Sequence, residues 1–141
     1  MNKTEILAKL NEVCKNTLME TLQMEFTDLN RDEGWVQIRM PVTPRVHQPM
    51  GLLHGGASAA IAESVGSASS LLYLDPEKYA VLGIQLSCNH LRSKREGWVT
   101  GTAKIIHRGR STHLWEIEIR DEDSRLISHC KLTNMIVERE S

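Results

Sequence analysis

The sequence predicts an α+β fold in which one long helix lies on a curved antiparallel sheet. Two patterns carry that prediction. From about Gly55 to about Tyr73 the chain is built largely of Gly, Ala and Ser with apolar residues at helical spacing, and the second half repeats period-two segments separated by turn residues. With 141 residues and no repeat, linker or compositional break, the chain reads as one domain over 1–141. A domain of that size buries roughly two-thirds of its unfolded surface.

A short amphipathic helix over about 4–14 opens the chain, because Ile6, Leu7, Leu10 and Val13 fall on one side and Thr4 precedes them as a cap. Leu22 to Asn30 and Trp35 to Thr43 then change to period two. Val36, Ile38, Met40 and Val42 alternate with Trp35, Gln37 and Arg39, and Arg31 to Gly34 reads as the turn between two strands. A loop carrying Pro41, Pro44 and Pro49 leads into the long helix, which Asp75 and Pro76 end. Four further strands are marked by Leu82, Ile84 and Leu86, by Val99, Ala103 and Ile105, by Trp115, Ile117 and Ile119, and by Leu126, Cys130 and Leu132. Turn signals at Arg95 to Gly97, Arg108 to Arg110 and Asp121 to Ser124 separate them, so an antiparallel meander is expected.

Glu63 is the single carboxylate in the middle of the long helix. Ile61, Val65, Ala68 and Leu72 form an apolar stripe for the sheet, while Gly56, Ala59, Ala60, Gly66, Ser67 and Ser70 share the face of Glu63. Such a face is not built for solvation. It lets a backbone or a ligand approach closely, and an acid on it is expected to be buried, losing water around its charge as a general base does. Gly55, at the helix start, offers an unpaired N–H at the positive end of the macrodipole, which suits an oxyanion. Glu63 follows eight residues later, about 12 Å along the axis, too far for both to reach one carbonyl. The expected arrangement is therefore Glu63 against the Gly55 of a second subunit, across two antiparallel helices related by a two-fold axis.

Composition excludes several classes. Lys and Arg number 17 against 18 for Asp and Glu, so no overall field recruits nucleic acid or an acidic membrane. Glu5, Lys9 and Glu12 interrupt the apolar positions of the first residues, which removes a signal-peptide core, and no run approaches the ~18 apolar residues of a membrane span. A soluble, cytoplasmic protein is expected. Cys14, Cys88 and Cys130 show no CxxC spacing and read as reduced thiols; no metal is expected on them, nor on His47, His113 and His129, which lack HxH or HExxH spacing. Trp35, Trp98 and Trp115 read as sheet packing. The glycine pair lacks the GxGxxG fingerprint of a dinucleotide site. His90, Arg92, Lys94, Arg108 and Arg110 are expected to gather near strand ends, where cations neutralise phosphates.

Three strings, HQPMGLLHGGASAAIAESVGS (47–67), CNHLRS (88–93) and HRGRSTHLWEIEI (107–119), make the chain resemble the hotdog-fold acyl-CoA thioesterases from about Gly34 to Val137. It is most similar to the group acting on aromatic acyl-CoA esters, which includes 1,4-dihydroxy-2-naphthoyl-CoA, phenylacetate-pathway and enterobactin proofreading thioesterases. The resemblance implies that Glu63 is the catalytic carboxylate, as base or nucleophile, and that Gln48 and His54 orient the thioester or the water. It also implies that the Gly55 N–H polarises the carbonyl and that Ser67 assists. Coenzyme A, part of the substrate rather than a cofactor, would be held by Gly83, by His90, Leu91, Arg92 and Ser93, and by His107, Arg108, Gly109, Arg110, Ser111 and Thr112. A homodimer or homotetramer is implied. Met50 stands where relatives often carry Phe, Ser87-Cys88 where they often carry Asn-Ala, and Arg108 adds a charge. Thioesters on acyl carrier protein, non-catalytic acyl-CoA binding and dehydration are the alternatives.

Overall fold

The computed structural model describes residues 1–140. Helix α1 (Lys3–Glu12) is capped by Asn2 rather than Thr4, because the Asn2 carboxamide oxygen accepts from the Glu5 N–H at 2.9 Å. A further turn of helix, α2 (Leu18–Thr21), replaces the start of the strand expected at Leu22. Thr17 caps it by accepting from the Met19 N–H, and Gln23, at φ 60°, ends it in the left-handed region. Strand β1 (Glu25–Asn30) therefore begins late.

Strand β2 (Trp35–Val42) returns after a turn closed by Gly34 at φ 76°. One turn of 3-10 helix (Pro44–Val46) follows, and then helix α3 (Gly55–Ser70), continued by another 3-10 turn (Leu71–Tyr73). Strands β3 (Tyr79–His90), β4 (Gly97–Arg108), β5 (Thr112–Asp121) and β6 (Leu126–Glu138) complete the chain.

The six strands pair antiparallel in the order β1-β2-β4-β5-β6-β3. This corrects the meander expected of the four strands after the helix: of these, only β4, β5 and β6 follow one another as neighbours. Helix α3 packs on β2, β4, β5, β6 and β3 and so carries the chain across the sheet to its far edge, where β3 pairs with β6. Strand β4 then returns to β2, and Arg95 and Glu96 belong to that crossing connection rather than to a hairpin, with Gly97 already paired to Val42. The resulting fold is the hotdog form of α+β, a sheet wrapped around one helix.

Ile61 and Val65 face the sheet as expected and are fully buried. Gly66 and Ser70 do too, although the pattern placed them beside Glu63; Ala68 and Leu72 are only half-buried. The helix contacts the sheet over a wider arc than one apolar stripe, and small side chains allow it. A β-carbon on Gly66 would stand 2.6 Å from Leu132 Cδ2 of β6. Ser70 sits in a buried polar cluster, its Oγ 2.8 Å from Trp115 Nε1, 2.9 Å from Asn134 Nδ2 and 2.8 Å from His113 Nδ1.

Candidate active site

The start of α3 is prepared by the proline-bearing loop. His54 occupies the cap position and its Nδ1 accepts from the Gly56 N–H at 2.7 Å, which leaves Nε2 to carry the proton of the neutral ring. The Gly55 N–H has no hydrogen-bond partner among the described residues. It is a donor at the positive end of a sixteen-residue helix. A side chain at residue 55 is not accommodated, because a β-carbon there would lie 2.9 Å from the His90 ring. His90 is in turn held by Ser128, whose Oγ is 2.8 Å from Nδ1. Gln48, Gly55, Ser58, His90, Arg92 and Ser128 border a cavity of about 310 Å³. Gln48 Oε1 accepts from the Met50 N–H at 2.5 Å, fixing the loop as well as facing the cavity. Met50 itself is exposed.

Two turns further along α3, the Glu63 carboxylate lies over β3 where Gly83 leaves room for it. A β-carbon on Gly83 would be 2.7 Å from Glu63 Oε1 and 3.5 Å from Ser67 Oγ. Glu63 and Ser67 border a second cavity of about 540 Å³, otherwise largely apolar, between α3, the start of β3 and helices α1 and α2. Glu63 is exposed in the single chain, which corrects the expectation of a buried acid. Of the small residues expected beside it, Ala59, Ala60 and Ser67 are half-buried, while Gly66 and Ser70 are covered by the sheet.

One chain thus holds two separate groups of candidate residues. Gly55, its N–H unpartnered among the described residues, sits beside His90 at one end of β3, and Glu63 sits over Gly83 toward the other. Gln48, His90, Leu91, Arg92 and Ser93 go with the first; Gly83 and Ser67 go with the second. His54 is exposed at the helix tip and borders neither cavity.

The basic residues do not form one cluster. Strand register carries His90 to Ser128 and on to Ile119, whereas Arg108 pairs with His113, so the two groups lie about 20 Å apart along β5. Lys94 is engaged by Glu122 at 2.5 Å and by Asp121 at 4.0 Å; the Lys94 ammonium holds the Glu122 carboxyl below its usual range. The Arg108 guanidinium lies 4.4 Å over the Tyr73 ring. The Gly109 N–H donates to the Thr112 carbonyl at 2.8 Å and the Ile136 N–H to the Ser111 carbonyl at 2.8 Å, so His107 to Thr112 is a tight turn anchored to β6. His47 and His129 are engaged structurally, with His47 Nε2 2.7 Å from the Arg95 carbonyl and His129 Nε2 2.9 Å from Glu116. Trp115 is fully buried, as expected of sheet packing.

Sequence reasoning did not reach the contributions of Ser128, Ser58 or the N-terminal helices. A polar residue on β6 becomes part of a site only through the register that sets it opposite His90. The exposed Val13 and Leu18, both bordering the larger cavity, were the available signal for the helices.

The profile of the Thioesterase superfamily matches residues 50–128. The chain is 40% identical over 131 residues to the 1,4-dihydroxy-2-naphthoyl-CoA hydrolase of Escherichia coli, covering 93% of this chain and 94% of that protein. It is 40% identical over 131 residues to the proofreading thioesterase EntH of Klebsiella pneumoniae, covering 93% of each. Among solved structures, that of a mutant thioesterase from Pseudomonas aeruginosa superposes with a TM-score of 0.91 at 39% identity over 94% of both chains. A thioesterase from Haemophilus influenzae superposes with a TM-score of 0.89 at 38% identity, covering 94% of this chain and 90% of that one.

Proposed function

Because the chain belongs to the thioesterase superfamily and is a thioester hydrolase, we propose that it hydrolyses an aromatic acyl-CoA in a site shared between two subunits. The observation that carries this reading is the separation of Gly55 from Glu63. Eight residues of α3 put about 12 Å between them, while the Gly55 N–H has no partner among the described residues and the Glu63 carboxylate is exposed.

Strand β3 forms an edge of the sheet and exposes Leu82 and Ile84, at 50% and 54% of their surface. An edge of that kind pairs with another chain unless it is protected. When β3 meets its own copy antiparallel about a two-fold axis, the His90 end of one subunit lies beside the Gly83 end of the other. Gly55 then faces the partner subunit's Glu63, and the small residues of α3 let the two helices approach. The same operation brings His90 to Ser93 of one subunit toward the partner's turn at His107 to Thr112, so the two basic segments separated within one chain flank a single coenzyme A.

In the reaction, the Gly55 N–H donates to the thioester carbonyl oxygen and stabilises the negative charge that develops there. Glu63 takes a proton from water as hydroxide adds to the carbonyl carbon, or itself adds to that carbon. The tetrahedral species collapses with loss of the coenzyme A thiolate, which takes up the proton held by Glu63 in the first route and is protonated by solvent in the second. In the second route, water then cleaves the acyl-glutamyl anhydride. Gln48 orients the reacting groups, His54 holds the helix tip through its bond from the Gly56 N–H, and Ser67 supports the carboxylate. A single turnover in 18O-water separates the routes: direct addition of water gives labelled acid and leaves Glu63 unlabelled, whereas attack of water on the glutamyl carbonyl of the anhydride gives unlabelled acid and labels the Glu63 carboxylate.

Subunit complementation tests the shared site. Glu63→Gln and Gly55→Val homodimers are expected to lose coenzyme A release, whereas unfolding and refolding them together yields hybrids with one intact site and restores it. If mixing restores nothing, although hybrids form, the site is contained in one chain and this reading fails.

A further inference from the structure

Two charged side chains border the larger cavity, and they stand toward opposite ends of it: Glu63 in the middle of α3 and Arg139 just past β6. Between them the lining is Ser67, Ala68 and Leu71 at the end of α3 and Val81 of β3 on one side and residues of α1 and α2 on the other. From Glu63 to Leu71 the helix rises by about 12 Å, which accommodates a substituted benzoyl or a six-carbon acyl group with a contact at each end.

Arg139 is held in place. Its Nε donates to the Pro76 carbonyl at 2.8 Å and to the Tyr79 carbonyl at 3.2 Å, and its backbone N–H donates to the Lys78 carbonyl at 2.8 Å. These bonds tie the side chain to the segment that follows α3 and leave the two terminal nitrogens uncommitted among the described residues. Glu77, Glu138 and Glu140 border it from the other side, and none of them pairs with it.

We propose that Arg139 borders the far end of the acyl cavity and selects acyl groups that carry a carboxylate remote from the thioester. The reasoning is electrostatic. Arg139 is exposed and so stands at the open end of the cavity, where an entering carboxylate sheds part of its water and a cation offsets that cost. Glu63 repels it from the reacting end, and a guanidinium with two free N–H groups receives a carboxylate in the bidentate geometry that a lysine does not match. The two charges thereby set the direction in which the acyl group lies.

The inference rests on the thioesterase reading and on the acyl group occupying this cavity. Its test is steady-state hydrolysis of two matched pairs, 4-carboxybenzoyl-CoA against benzoyl-CoA and adipoyl-CoA against hexanoyl-CoA. Wild type is expected to favour the carboxylated member of at least one pair by roughly 10- to 100-fold in kcat/KM, mostly through KM. Arg139→Leu is expected to bring the ratio to about one, and Arg139→Lys to recover part of it. Equal rates within both pairs, or preference for the neutral members, overturn the role of Arg139 and leave the thioesterase reading standing. Failure to cleave any of the four thioesters counts against the acyl-CoA reading itself, and the selection falls with it.

Discussion

The carboxylate of Glu63 rests over Gly83 of β3 so closely that a β-carbon at residue 83 would stand 2.7 Å from Oε1. The edge strand thus sets how far the acid leans from its helix. Gly83→Ala is expected to push the carboxylate away while leaving the core intact, since the other atoms near that β-carbon, on Leu132 and Ser67, are at ordinary contact distance. A displacement of that order costs about 100-fold in rate. Steady-state kinetics should show kcat falling by that factor with little change in melting temperature; an unchanged kcat would mean that Gly83 does not position the acid.

Gly55 presents the same logic in the other group. Gly55→Ala drives a methyl group into the His90 ring, which Ser128 restrains. Loss of one oxyanion donor from its place costs roughly 100- to 1,000-fold in kcat. The double variant Gly55→Ala with His90→Ala removes the clash and is expected to recover part of that loss. A double variant no better than Gly55→Ala would locate the damage in the backbone of residue 55 instead.

Gly66 tests packing rather than chemistry. Its added β-carbon would lie 2.6 Å from Leu132 Cδ2, and Leu132 is fully buried. Replacing a mid-helix glycine by alanine gains about 1 kcal/mol in helix propensity, against about 1–3 kcal/mol for overpacking. Gly66→Ala should therefore be neutral to destabilising by up to about 2 kcal/mol, and it should become stabilising when Leu132→Ala has opened the space. Denaturant melts of the four proteins in a double-mutant cycle give the coupling directly.

The spacing of the candidate residues Gly55 and Glu63 was legible because it depends on local arithmetic, whereas the burial state of Glu63 was not. Glu63 and Gly55 lie on one helix, and their separation follows from rise per residue whatever the rest of the chain does. The strand order was not legible, because period-two alternation says which face of a strand is buried and nothing about its neighbour. Only the passage of α3 across the sheet sends β3 to the far edge and strands His90 and Arg108 at opposite ends. The inward turn of Gly66 and Ser70 escaped for a related reason: a helix of small residues carries little polarity contrast between its faces. Arg139 escaped because a charged residue near the end of a chain looks like any solvated terminus until its bonds to Pro76 and Tyr79 are seen.

The buried cluster around Ser70 gives a pH dependence whose sign can be worked out. Ser70 Oγ receives N–H groups from Trp115 and Asn134 at 2.8 and 2.9 Å, which use both of its lone pairs. Its own hydrogen must then go to His113 Nδ1 at 2.8 Å, so that nitrogen is unprotonated and the ring is neutral. Burial holds the His113 pKa below its ordinary 6.5, and the charges of Arg108 and His107 lower it further. A protonated His113 would set an N–H against Ser70 and leave a cation in the core. The unfolded chain therefore binds this proton more readily than the folded one, and stability rises with pH between the two pKa values. The contribution is complete above the unfolded value, near 6.5, and is lost as pH falls through the folded one. Thermal melts of wild type between pH 7.5 and 5 should show a decline that is shallower in Arg108→Gln and in His113→Asn. Parallel profiles for all three proteins would assign the acid sensitivity to other groups.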